Sequence, residues 1–503
     1  MLPIFQEPPT YWKPQPYRFL PFRFITLDDR MILVNLVGEH ELVERQQFDR
    51  FIARSLSPGS DVYLNLKAKH FLADTDSDTP IRLLATKLRT KFSHLAGFTK
   101  LHIFVVTLRC DHSCHYCQVS RVTAARSKYD MTRESADRAL DFVFRAPSCR
   151  QKIEFQGGEP LLNFDTIKYV VEEATRRNAL LHEDKQKSFQ FVIATNLSAI
   201  SDEILAFAAQ HQIDFSTSID GPAFIHNANR PRPEHDAYER TVRGIARVRD
   251  ALGHDAVAAV MTTTRLSLAH PEDIVNEYVA LGFNHIFLRP ISPYGFAIKT
   301  AHRTGYDRSS FLQFYFRALH RIIALNREGV RIVEVYAQIL LTKMLTPFAT
   351  SYVDLQSPSG AGIGAVVYNY DGDVYASDES RMLAEMGDKT FRLGSLHSNT
   401  YEEIFGGETL RTLVASSMNL AMPACADCAY QPYCGADPIE NHATQGDVVG
   451  HRPSSDFCSR NMGIISQLLR LYHDPDPYYK ELFHSWTLGE SLSDLFQTPL
   501  VRD

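Results

Sequence analysis

Apolar positions in the middle of the chain fall into short strand-like runs separated by helical patterns. Residues 101–108, LHIFVVTL, are a continuous apolar run with β-branched residues, which is typical of a strand buried on both faces. Further strand-like runs follow, with helical patterns such as RESADRALDFVFR between them; they are KIEFQGGEP, FQFVIATN, IDFSTSIDG, AVAAVMTTT and HIFLRPIS. About six βα units within roughly 200 residues predict an α/β fold built on a parallel barrel or an open sheet.

The regions on either side of these units have different patterns. Residues 1–97 contain two alternating runs, YRFLPFRFITLDD and RMILVNLVGEHELVE, which meet at a turn-forming Asp-Asp pair. Two helical patterns, RQQFDRFIARS and SDVYLNLKAKHFL, come next, and this order predicts a small winged-helix-like module. After the last βα unit we expect an amphipathic helix around residues 309–327, and then a shorter-stranded region that contains cysteines.

The composition is that of an ordinary globular protein with more than one domain. The chain has 503 residues, of which 44% are hydrophobic and 22% are charged, and a single core does not keep growing at that length. The formal net charge of −6 gives no electrostatic reason to expect nucleic acid as a partner. We find no signal-peptide pattern at the start and no stretch approaching the roughly 20 apolar residues of a membrane span. We therefore expect a cytoplasmic protein without membrane partners, in which clustered cysteines are metal ligands or redox groups.

Three of the 8 cysteines lie within TLRCDHSCHYCQVSR, just after the first strand of the predicted barrel. Cys110, Cys114 and Cys117 have a Cx3Cx2C spacing, and the carboxyl ends of parallel strands are where such folds place their chemistry. Three thiolates can hold three irons of a [4Fe–4S] cluster and leave the fourth iron open to a small-molecule ligand. The alternatives are a zinc site completed by His112 or His115, and three incidental buried thiols.

The triplet, with the aromatic Tyr116 before its third cysteine, resembles the motif of the radical S-adenosylmethionine (SAM) superfamily. A GGEP motif one βα unit later strengthens the resemblance. In this family SAM chelates the open iron, and one electron cleaves a C–S bond to give a 5′-deoxyadenosyl radical. The resemblance implies that the GGEP motif contacts the SAM ammonium group, because glycines permit close backbone approach and a carboxylate pairs with a cation. The residues of this motif are Gly157, Gly158, Glu159 and Pro160.

Two later strand ends resemble family positions that surround SAM. TSIDGP would bring Ser218 and Asp220 to the mouth of the barrel, with Arg230 nearby as a partner for the SAM carboxylate. LRPIS would place Arg289 beside the adenosine. The alternative for these residues is an ordinary strand-end hydrogen bond or a surface arginine.

A second set of cysteines lies in the last third of the chain, in CADCAYQPYC and SSDFCSR. Its members are Cys425, Cys428, Cys434 and Cys458. Four thiols can bind zinc or a fully ligated [4Fe–4S] cluster, but beside the first set they resemble the SPASM extension of enzymes that modify peptides and proteins. That extension holds two auxiliary clusters, and Ser359, Ser377 and Pro438 stand where the first would need cysteines. We therefore expect one auxiliary cluster, which transfers electrons or, alternatively, only stabilises its domain.

Two further residues outside these motifs carry predictions. Asp378 follows Ser377 and matches the position of a candidate general base in anaerobic sulfatase-maturating enzymes, so it could take a proton from a substrate side chain. The alternative is an exposed turn aspartate. Cys149 belongs to neither set, and we interpret it as an ordinary small hydrophobic residue.

The N-terminal module resembles the RiPP recognition element, a winged-helix domain that captures the leader of a ribosomally made precursor peptide. Capture adds the leader as a strand to an exposed sheet edge, which the segment MILVNLVGEHELVE would supply. A cap that only covers the flank of the barrel is the alternative. Most of the chain also resembles the His-Xaa-Ser system maturases, in stretches such as YRFLPFRF, LVGEHELV, YNYDGDVYASDE and PYCGADP.

These resemblances imply a radical SAM maturase that crosslinks a precursor peptide through a C–C, C–O or thioether bond. Its cofactors would be SAM, one SAM-binding [4Fe–4S] cluster and one auxiliary [4Fe–4S] cluster. Its partners would be a leader-bearing precursor peptide and a flavodoxin- or ferredoxin-type electron donor. The alternatives are a radical SAM oxidase or epimerase of a protein residue, and a non-catalytic leader-binding scaffold for a second maturase.

The same patterns divide the chain into five predicted parts around an α/β centre. They are a winged-helix-like leader-binding module (1–97), a partial (β/α)6 radical SAM barrel (98–305), a helical bridge (306–355), a SPASM-like Fe–S domain (356–465), and a C-terminal helix and tail (466–503).

Overall fold

The computed structural model describes residues 16–122 and 126–489 of the chain. The first 15 residues of the predicted N-terminal module and the predicted polar tail from residue 490 lie outside the described residues. The strands are β1 Arg18–Phe19, β2 Phe22–Leu27, β3 Arg30–Asn35, β4 His40–Glu44, β5 Leu72–Ala73, β6 Leu101–Thr107, β7 Arg150–Gly157, β8 Ser188–Ala194, β9 Ile213–Ser218, β10 Val257–Thr262, β11 His285–Ile286, β12 Leu288–Arg289, β13 Val333–Glu334, β14 Ala365–Tyr368, β15 Asp373–Tyr375 and β16 Arg392–Ser395.

The helices fall between these strands and at the end of the described chain. They are α1 Arg45–Ile52, α2 Asp61–Ala68, α3 Thr79–Phe92, α4 Arg126–Tyr129, α5 Arg133–Arg145, α6 Phe164–Ala179, α7 Asp202–His211, α8 Ala223–Asn229, α9 Ala237–Leu252, α10 Pro271–Ala280, α11 Phe296–Lys299, α12 Ala301–Thr304, α13 Arg308–Arg327, α14 Val335–Leu345, α15 Asp378–Glu385, α16 Tyr401–Phe405, α17 Glu408–Ala415, α18 Pro438–Gln445, α19 Asp456–Tyr472 and α20 Pro477–Leu488. No helix within residues 16–122 and 126–489 combines the length and the apolar character that crossing a bilayer requires.

Six parallel strands form the centre of the molecule. They lie side by side in chain order, from β6 through β7, β8, β9 and β10 to β12, and helices connect them. This confirms the predicted succession of βα units. β6 is buried along almost its whole length, as its continuous apolar run predicts, because both faces of a parallel sheet are covered. The carboxyl ends of these strands therefore meet at one edge, which is where the site lies.

The sheet continues beyond the predicted barrel. β14 pairs in parallel with the free side of β6, and β15 and β16 extend the sheet in antiparallel fashion. Residues from the predicted Fe–S domain are thus built into the same sheet as the barrel strands. The sequence patterns did not indicate this, because strands of three or four residues carry too little periodicity to reveal their partners.

The N-terminal module contains the predicted order of three strands followed by helices. β2, β3 and β4 form an antiparallel sheet, and α1 and α2 follow it. The short β1–β5 pair and the helix α3 were not predicted. β3 is paired on both sides, so within the segment expected to offer a sheet edge, only β4 can do so.

Glu334 is a buried carboxylate at the junction of the barrel and the helical region. Its side chain is 0% exposed and accepts hydrogen bonds from the Tyr315 hydroxyl, from Leu288 N at 3.2 Å and from Ala337 N at 2.6 Å. Burial nevertheless raises the pKa of Glu334 to about 7. The folded chain therefore keeps a proton on Glu334 that the unfolded chain releases near pH 4.5.

We expect the free energy of unfolding to fall as the pH rises, because the pKa of Glu334 is higher in the folded chain than in the unfolded chain. Its contribution to the free energy of unfolding is fully present below about pH 4.5 and is lost by about pH 7, a change of roughly 3 kcal/mol. Glu334→Gln removes the titrating group, so the variant should lose less stability than the wild type between pH 4.5 and 7.5. Urea unfolding followed by circular dichroism at both pH values measures the difference. Glu408→Gln, at an exposed position in α17, should behave like the wild type, and an equal loss in Glu334→Gln would contradict the assignment.

Candidate active site

A cavity of about 1360 Å³ runs along the barrel strands, from the amino ends of β6, β7 and β8 to the carboxyl ends of the strands. Predicted site residues from six separate stretches of the sequence line it. They are Cys110, Cys114, Tyr116, Cys117, Gly157, Gly158, Ser218, Arg230, Arg289 and Asp378. Glu159, Pro160 and Asp220 are buried behind this wall.

The three thiols of the first set lie on the loop that follows β6. Cys110 N donates to Val122 O at 3.3 Å, and Cys117 N donates to Cys114 O at 3.2 Å, which folds the loop tightly. Burial raises the pKa of Cys110 and raises that of Cys114 to about 12, and neighbouring thiols of the set add to both shifts. Metal binding at this loop must therefore release protons from buried thiols.

Asp111 holds the cysteine loop in position, and the sequence analysis missed it. Its carboxylate accepts hydrogen bonds from Asn196 Nδ2 at 2.8 Å and from Ser198 Oγ at 2.5 Å, and it pairs with Arg232. Burial alone would raise the pKa of Asp111, but hydrogen bonds from His112 and Ser198 bring it well below its usual range. One signal was available, because Asn196 and Ser198 come just after β8, at the same sheet edge as the triplet.

The two glycines of the GGEP motif pass directly against the backbone that leads to the cysteine loop. Gly158 N donates to Thr107 O at 2.9 Å. A Cβ atom would lie 2.2 Å from Thr107 O at Gly157 and 2.5 Å from Arg109 O at Gly158, so neither position accommodates a side chain. Glycine is therefore required at both positions, and the bare backbone forms part of the cavity wall.

The carboxylate of Glu159 is turned away from the cavity and is 0% exposed. It accepts hydrogen bonds from Leu161 N at 3.0 Å, Thr195 Oγ1 at 2.6 Å and Asn196 N at 2.8 Å. Burial raises the pKa of Glu159 to about 7 although these donors oppose the shift. Pro160 begins the short 3₁₀ turn that follows. These bonds fix the glutamate, and its contact with SAM stays a prediction.

Asp220 is the centre of a buried charged cluster beside the triplet. Its carboxylate accepts hydrogen bonds from the Tyr116 hydroxyl at 2.9 and 2.7 Å and pairs with Arg230 Nε at 3.1 Å. The Arg230 guanidinium also lies 5.3 Å from the centroid of the Tyr116 ring. Burial would lower the pKa of Arg230, but Asp220 raises it overall, so the arginine stays charged at the cavity wall.

The carboxyl ends of β9 and β12 supply further cavity residues. Ser218 is the last residue of β9, and the buried hydroxyl of Thr217 beside it has no hydrogen-bond partner among the described residues. Arg289 is the last residue of β12. Burial would lower the pKa of Arg289, whereas Tyr352 and nearby carboxylates such as that of Glu379 raise it overall.

The four cysteines of the second set come together from two parts of the chain. Three lie on the loop 425–434, and Cys458 lies in the first turn of α19. Burial raises the pKa of Cys428 and Cys458 and raises that of Cys434 to about 12, and other thiols of the set contribute to each shift. Arg23 of β2 donates to Ala426 O and to Gln431 Oε1, the latter at 3.2 Å, so the N-terminal module contacts this loop directly.

Asp378 lies at the start of α15 rather than on an exposed turn. Its side chain is 18% exposed, and Arg381 Nη2 donates to it at 2.9 Å. The residues that stand in place of further cysteines have ordinary structural contacts. Ser377 caps α15, Pro438 is the first residue of α18, and Ser359 N donates to Ser417 Oγ at 2.9 Å.

Cys149, interpreted from the sequence as an ordinary small hydrophobic residue, is exposed and is not packed in a core. It precedes β7 and therefore lies at the amino end of a strand whose carboxyl end reaches the triplet. Its thiol is not among the residues that line the main cavity.

Residues 104–278 match the family model of the radical SAM superfamily. This segment therefore belongs to the radical SAM superfamily. The matched segment contains the cysteine triplet, the GGEP motif, Asp220 and Arg230, which are the residues that the structure gathers at the main cavity. A radical SAM enzyme uses SAM and a [4Fe–4S] cluster. The second cysteine set and the N-terminal module lie outside the matched segment.

Curated proteins resemble parts of the chain. The chain is 23% identical over 171 residues to the radical SAM cyclopropyl synthase TigE of Paramaledivibacter caminithermalis. This alignment covers 31% of the chain and 34% of TigE. The chain spans between 34% and 68% of the length of the curated relatives that it matches.

Solved structures resemble a larger share of the chain than the curated proteins do. Native anSMEcpe with bound AdoMet has a TM-score of 0.62 at 16% identity, over 77% of this chain and 100% of that one. Streptococcus suis SuiB bound to the precursor peptide SuiA has a TM-score of 0.51 at 12% identity, over 87% of this chain and 99% of that one. At these identities the likeness shows the fold, namely a partial radical SAM barrel with additional regions at both ends.

The residues at the main cavity fit the cofactors that a radical SAM domain uses. Three thiols face one space, the bare backbone of the two glycines leaves room that a Cβ would fill, and Arg230 and Thr217 offer donors. In the part of the chain that the structure describes, no group of three His, Cys, Asp or Glu side chains is placed to hold a single ion. His112 Nδ1 lies 2.9 Å from Asp111 Oδ1 and 2.8 Å from Asn196 Nδ2, while its buried Nε2 has no hydrogen-bond partner among the described residues. The match of this segment to the radical SAM family, rather than the position of His112, favours a cluster over a lone zinc ion.

Proposed function

We propose that the chain is a radical SAM maturase that crosslinks a ribosomally made precursor peptide. The observation that carries this proposal is the shared cavity, in which three free thiols, a glycine-lined wall and a buried arginine face a space of about 1360 Å³. Pockets for small molecules usually have about 300–1,000 Å³. The larger space supports a peptide segment as the substrate, entering together with SAM.

The roles of individual residues follow from their positions in this cavity. Cys110, Cys114 and Cys117 would hold the SAM-binding cluster, while the backbone of Gly157 and Gly158 and the Arg230 guanidinium would hold SAM. When bound, these cofactors supply a 5′-deoxyadenosyl radical that removes a hydrogen atom from a substrate side chain. Asp220 keeps Arg230 charged and oriented, and the buried walls exclude water from the reacting atoms.

A second set of residues is placed to complete the oxidation. Ring closure removes a proton and an electron from the substrate in addition to the abstracted hydrogen atom. Asp378 faces the cavity and would accept the proton. Cys425, Cys428, Cys434 and Cys458 would hold an auxiliary [4Fe–4S] cluster, which when bound supplies an acceptor for the electron.

The N-terminal module would bind the leader of the precursor. β4 is paired only with β3 among the described residues, so its other side can accept a further strand, and α2 contacts β4. SuiB, which shares this architecture, has been solved with its precursor peptide bound. As a finer proposal, the chain would be one of the His-Xaa-Ser system maturases, which its overall likeness in sequence supports.

A second candidate function is oxidation of a protein residue without crosslinking. The presence of Asp378 at the cavity wall favours it, because a base at this position would serve side-chain oxidation equally well. Epimerisation has less support. It needs a hydrogen donor at the radical, and Cys149, the one cysteine outside both sets, is exposed at the opposite end of β7.

The test uses the full chain with reconstituted clusters, SAM and a reductant, co-expressed or incubated with its precursor peptide. We expect 5′-deoxyadenosine to form and the peptide to lose about two hydrogen atoms per crosslink. An unchanged mass with altered chirality would point to epimerisation. No deoxyadenosine from a chain with its clusters loaded would favour the non-catalytic scaffold.

Asp378→Asn separates the two halves of the proposed reaction. We expect SAM cleavage to continue, because the triplet and Arg230 are intact, while formation of the modified peptide falls by about a hundredfold or more. Mass spectrometry of the peptide and chromatography of deoxyadenosine measure both in one reaction. Asp371→Asn, at an exposed position before β15, is the matched control and should retain coupling. Equal yields from Asp378→Asn and the wild type would rule out a base at this position.

A further inference from the structure

A second, smaller cavity adjoins the main one. It has about 60 Å³ and shares with the main cavity the side chains of Phe287, Arg289, Tyr352, Asp354 and Glu379. We call it the acidic side pocket, because four carboxylates line it. They are Asp354, Glu379, Asp437 and Glu440.

The acidic side pocket has too few positive charges for its carboxylates. The cations that line it are Arg289 and Arg460, and Arg460 Nη2 lies 3.9 Å from Glu440 Oε2. Four carboxylates thus face two guanidinium groups, which leaves the pocket two positive charges short when all are ionised. Burial of unpaired carboxylates is costly unless a cation compensates them.

Protonation equilibria in the pocket reflect this imbalance. Burial raises the pKa of Glu379 to about 7, and the carboxylates of Asp354 and Asp378 add to the shift. Burial and the neighbouring carboxylates also raise the pKa of Asp437 and Glu440, although Arg460 partly offsets the shift at Glu440. The carboxylates therefore retain protons that a bound cation would displace.

A tyrosine hydroxyl in the same pocket lacks a partner. Tyr294 is 1% exposed and lines the acidic side pocket, and its hydroxyl makes no hydrogen bond to the described residues. The carboxylates of the pocket all raise its pKa in addition to burial, which places the hydroxyl in their midst. A buried, unpaired hydroxyl surrounded by carboxylates indicates that a polar ligand completes the pocket.

We propose that the acidic side pocket binds the basic side chain, lysine or arginine, of a residue in the substrate peptide. This inference rests on the proposed peptide substrate. Ammonium and guanidinium groups carry several hydrogen-bond donors, so they suit carboxylates that are spread around a space. A single metal ion needs ligands placed close together, and among the described residues no three acidic or other ligating side chains are so placed. The walls shared with the main cavity let one peptide reach both.

The location agrees with this role. Ser377 and Pro438 are two of the positions where the SPASM enzymes that the chain resembles would need cysteines. Glu379 lies two residues after Ser377, and Asp437 and Glu440 lie on either side of Pro438. The chain thus has carboxylates beside positions where those enzymes hold cluster ligands. A charged anchor there would fix the peptide beside the triplet and set which neighbouring residue is attacked.

Calorimetry with short peptides tests the proposal on the full chain with its clusters loaded. The probes are acetyl-Gly-Gly-Lys-Gly-Gly-amide, its arginine counterpart and its norleucine counterpart, titrated to millimolar concentration. We expect the basic peptides to bind about tenfold more tightly than the norleucine peptide, and Glu379→Gln or Glu440→Gln to remove that preference. Glu385→Gln, on the same helix as Glu379 but outside the pocket, should keep it.

The outcomes separate this inference from the proposed function. Equal or undetectable binding of the basic and norleucine peptides overturns the inference, as does stoichiometric Mn²⁺ binding, followed by electron paramagnetic resonance, that Glu440→Gln abolishes. Deoxyadenosine formation in the same preparations reports on the proposed enzyme independently. A preference for basic peptides without SAM cleavage would contradict the enzyme and support the pocket, whereas SAM cleavage without the preference would contradict the pocket alone.

Discussion

Replacing Cys114 with alanine is expected to reduce 5′-deoxyadenosine formation by more than about a hundredfold. The cluster that binds SAM needs three thiolates, and the half-buried Cys114 is one of the three thiols at the wall of the main cavity. Its loss leaves one iron without a protein ligand in addition to the iron reserved for SAM. Iron and sulfide content of the reconstituted protein, together with chromatography of deoxyadenosine, measures the effect.

Cys149→Ala is the matched control for this change. Its thiol is exposed, lies at the amino end of β7 and does not line the main cavity, so iron content and SAM cleavage should match the wild type. If Cys114→Ala retained both, the assignment of the triplet to the SAM-binding cluster would be wrong. Zinc bound at the triplet of anaerobically purified protein would contradict it equally.

The second large effect is expected from Asp220→Asn. Asp220 is 0% exposed and is the carboxylate that pairs with Arg230, while Tyr116 donates to the same group. Asparagine keeps the size of the side chain but removes its charge, which leaves a buried guanidinium without compensation. We expect the free energy of unfolding to fall by about 3–5 kcal/mol, measured by urea unfolding followed by circular dichroism.

SAM binding provides a second readout for Asp220→Asn. Because Asp220 orients Arg230 at the cavity wall, the variant should also bind SAM about tenfold or more weakly in calorimetry under conditions where it remains folded. Asp273→Asn is the control, since its side chain is 56% exposed and pairs with the surface residue His270. A variant Asp220→Asn that is as stable as the wild type would show that Arg230 does not depend on this pair.

Motifs with local geometry were predictable from the sequence. The helix α5 occupies the segment RESADRALDFVFR, and β6 occupies most of LHIFVVTL, because periodicity and capping residues act within one element. Asp111 was missed for the opposite reason. Its partners Asn196, Ser198 and Arg232 lie far along the chain, and the position of Asn196 and Ser198 after β8 indicates a shared sheet edge but not which side chains pair there.

The sequence by itself determined the kind of chemistry that this protein can support. Cysteine spacing, the GGEP motif and the succession of βα units are set by neighbouring residues, so the superfamily and the parallel sheet could be inferred without coordinates. Only the tertiary structure decided that Tyr116, Asp220 and Arg230 form one buried cluster, that β14 joins the barrel sheet, and that four carboxylates surround Tyr294. These features depend on contacts between distant segments, whose partners are selected by the packing of the whole chain and not by any single stretch of it.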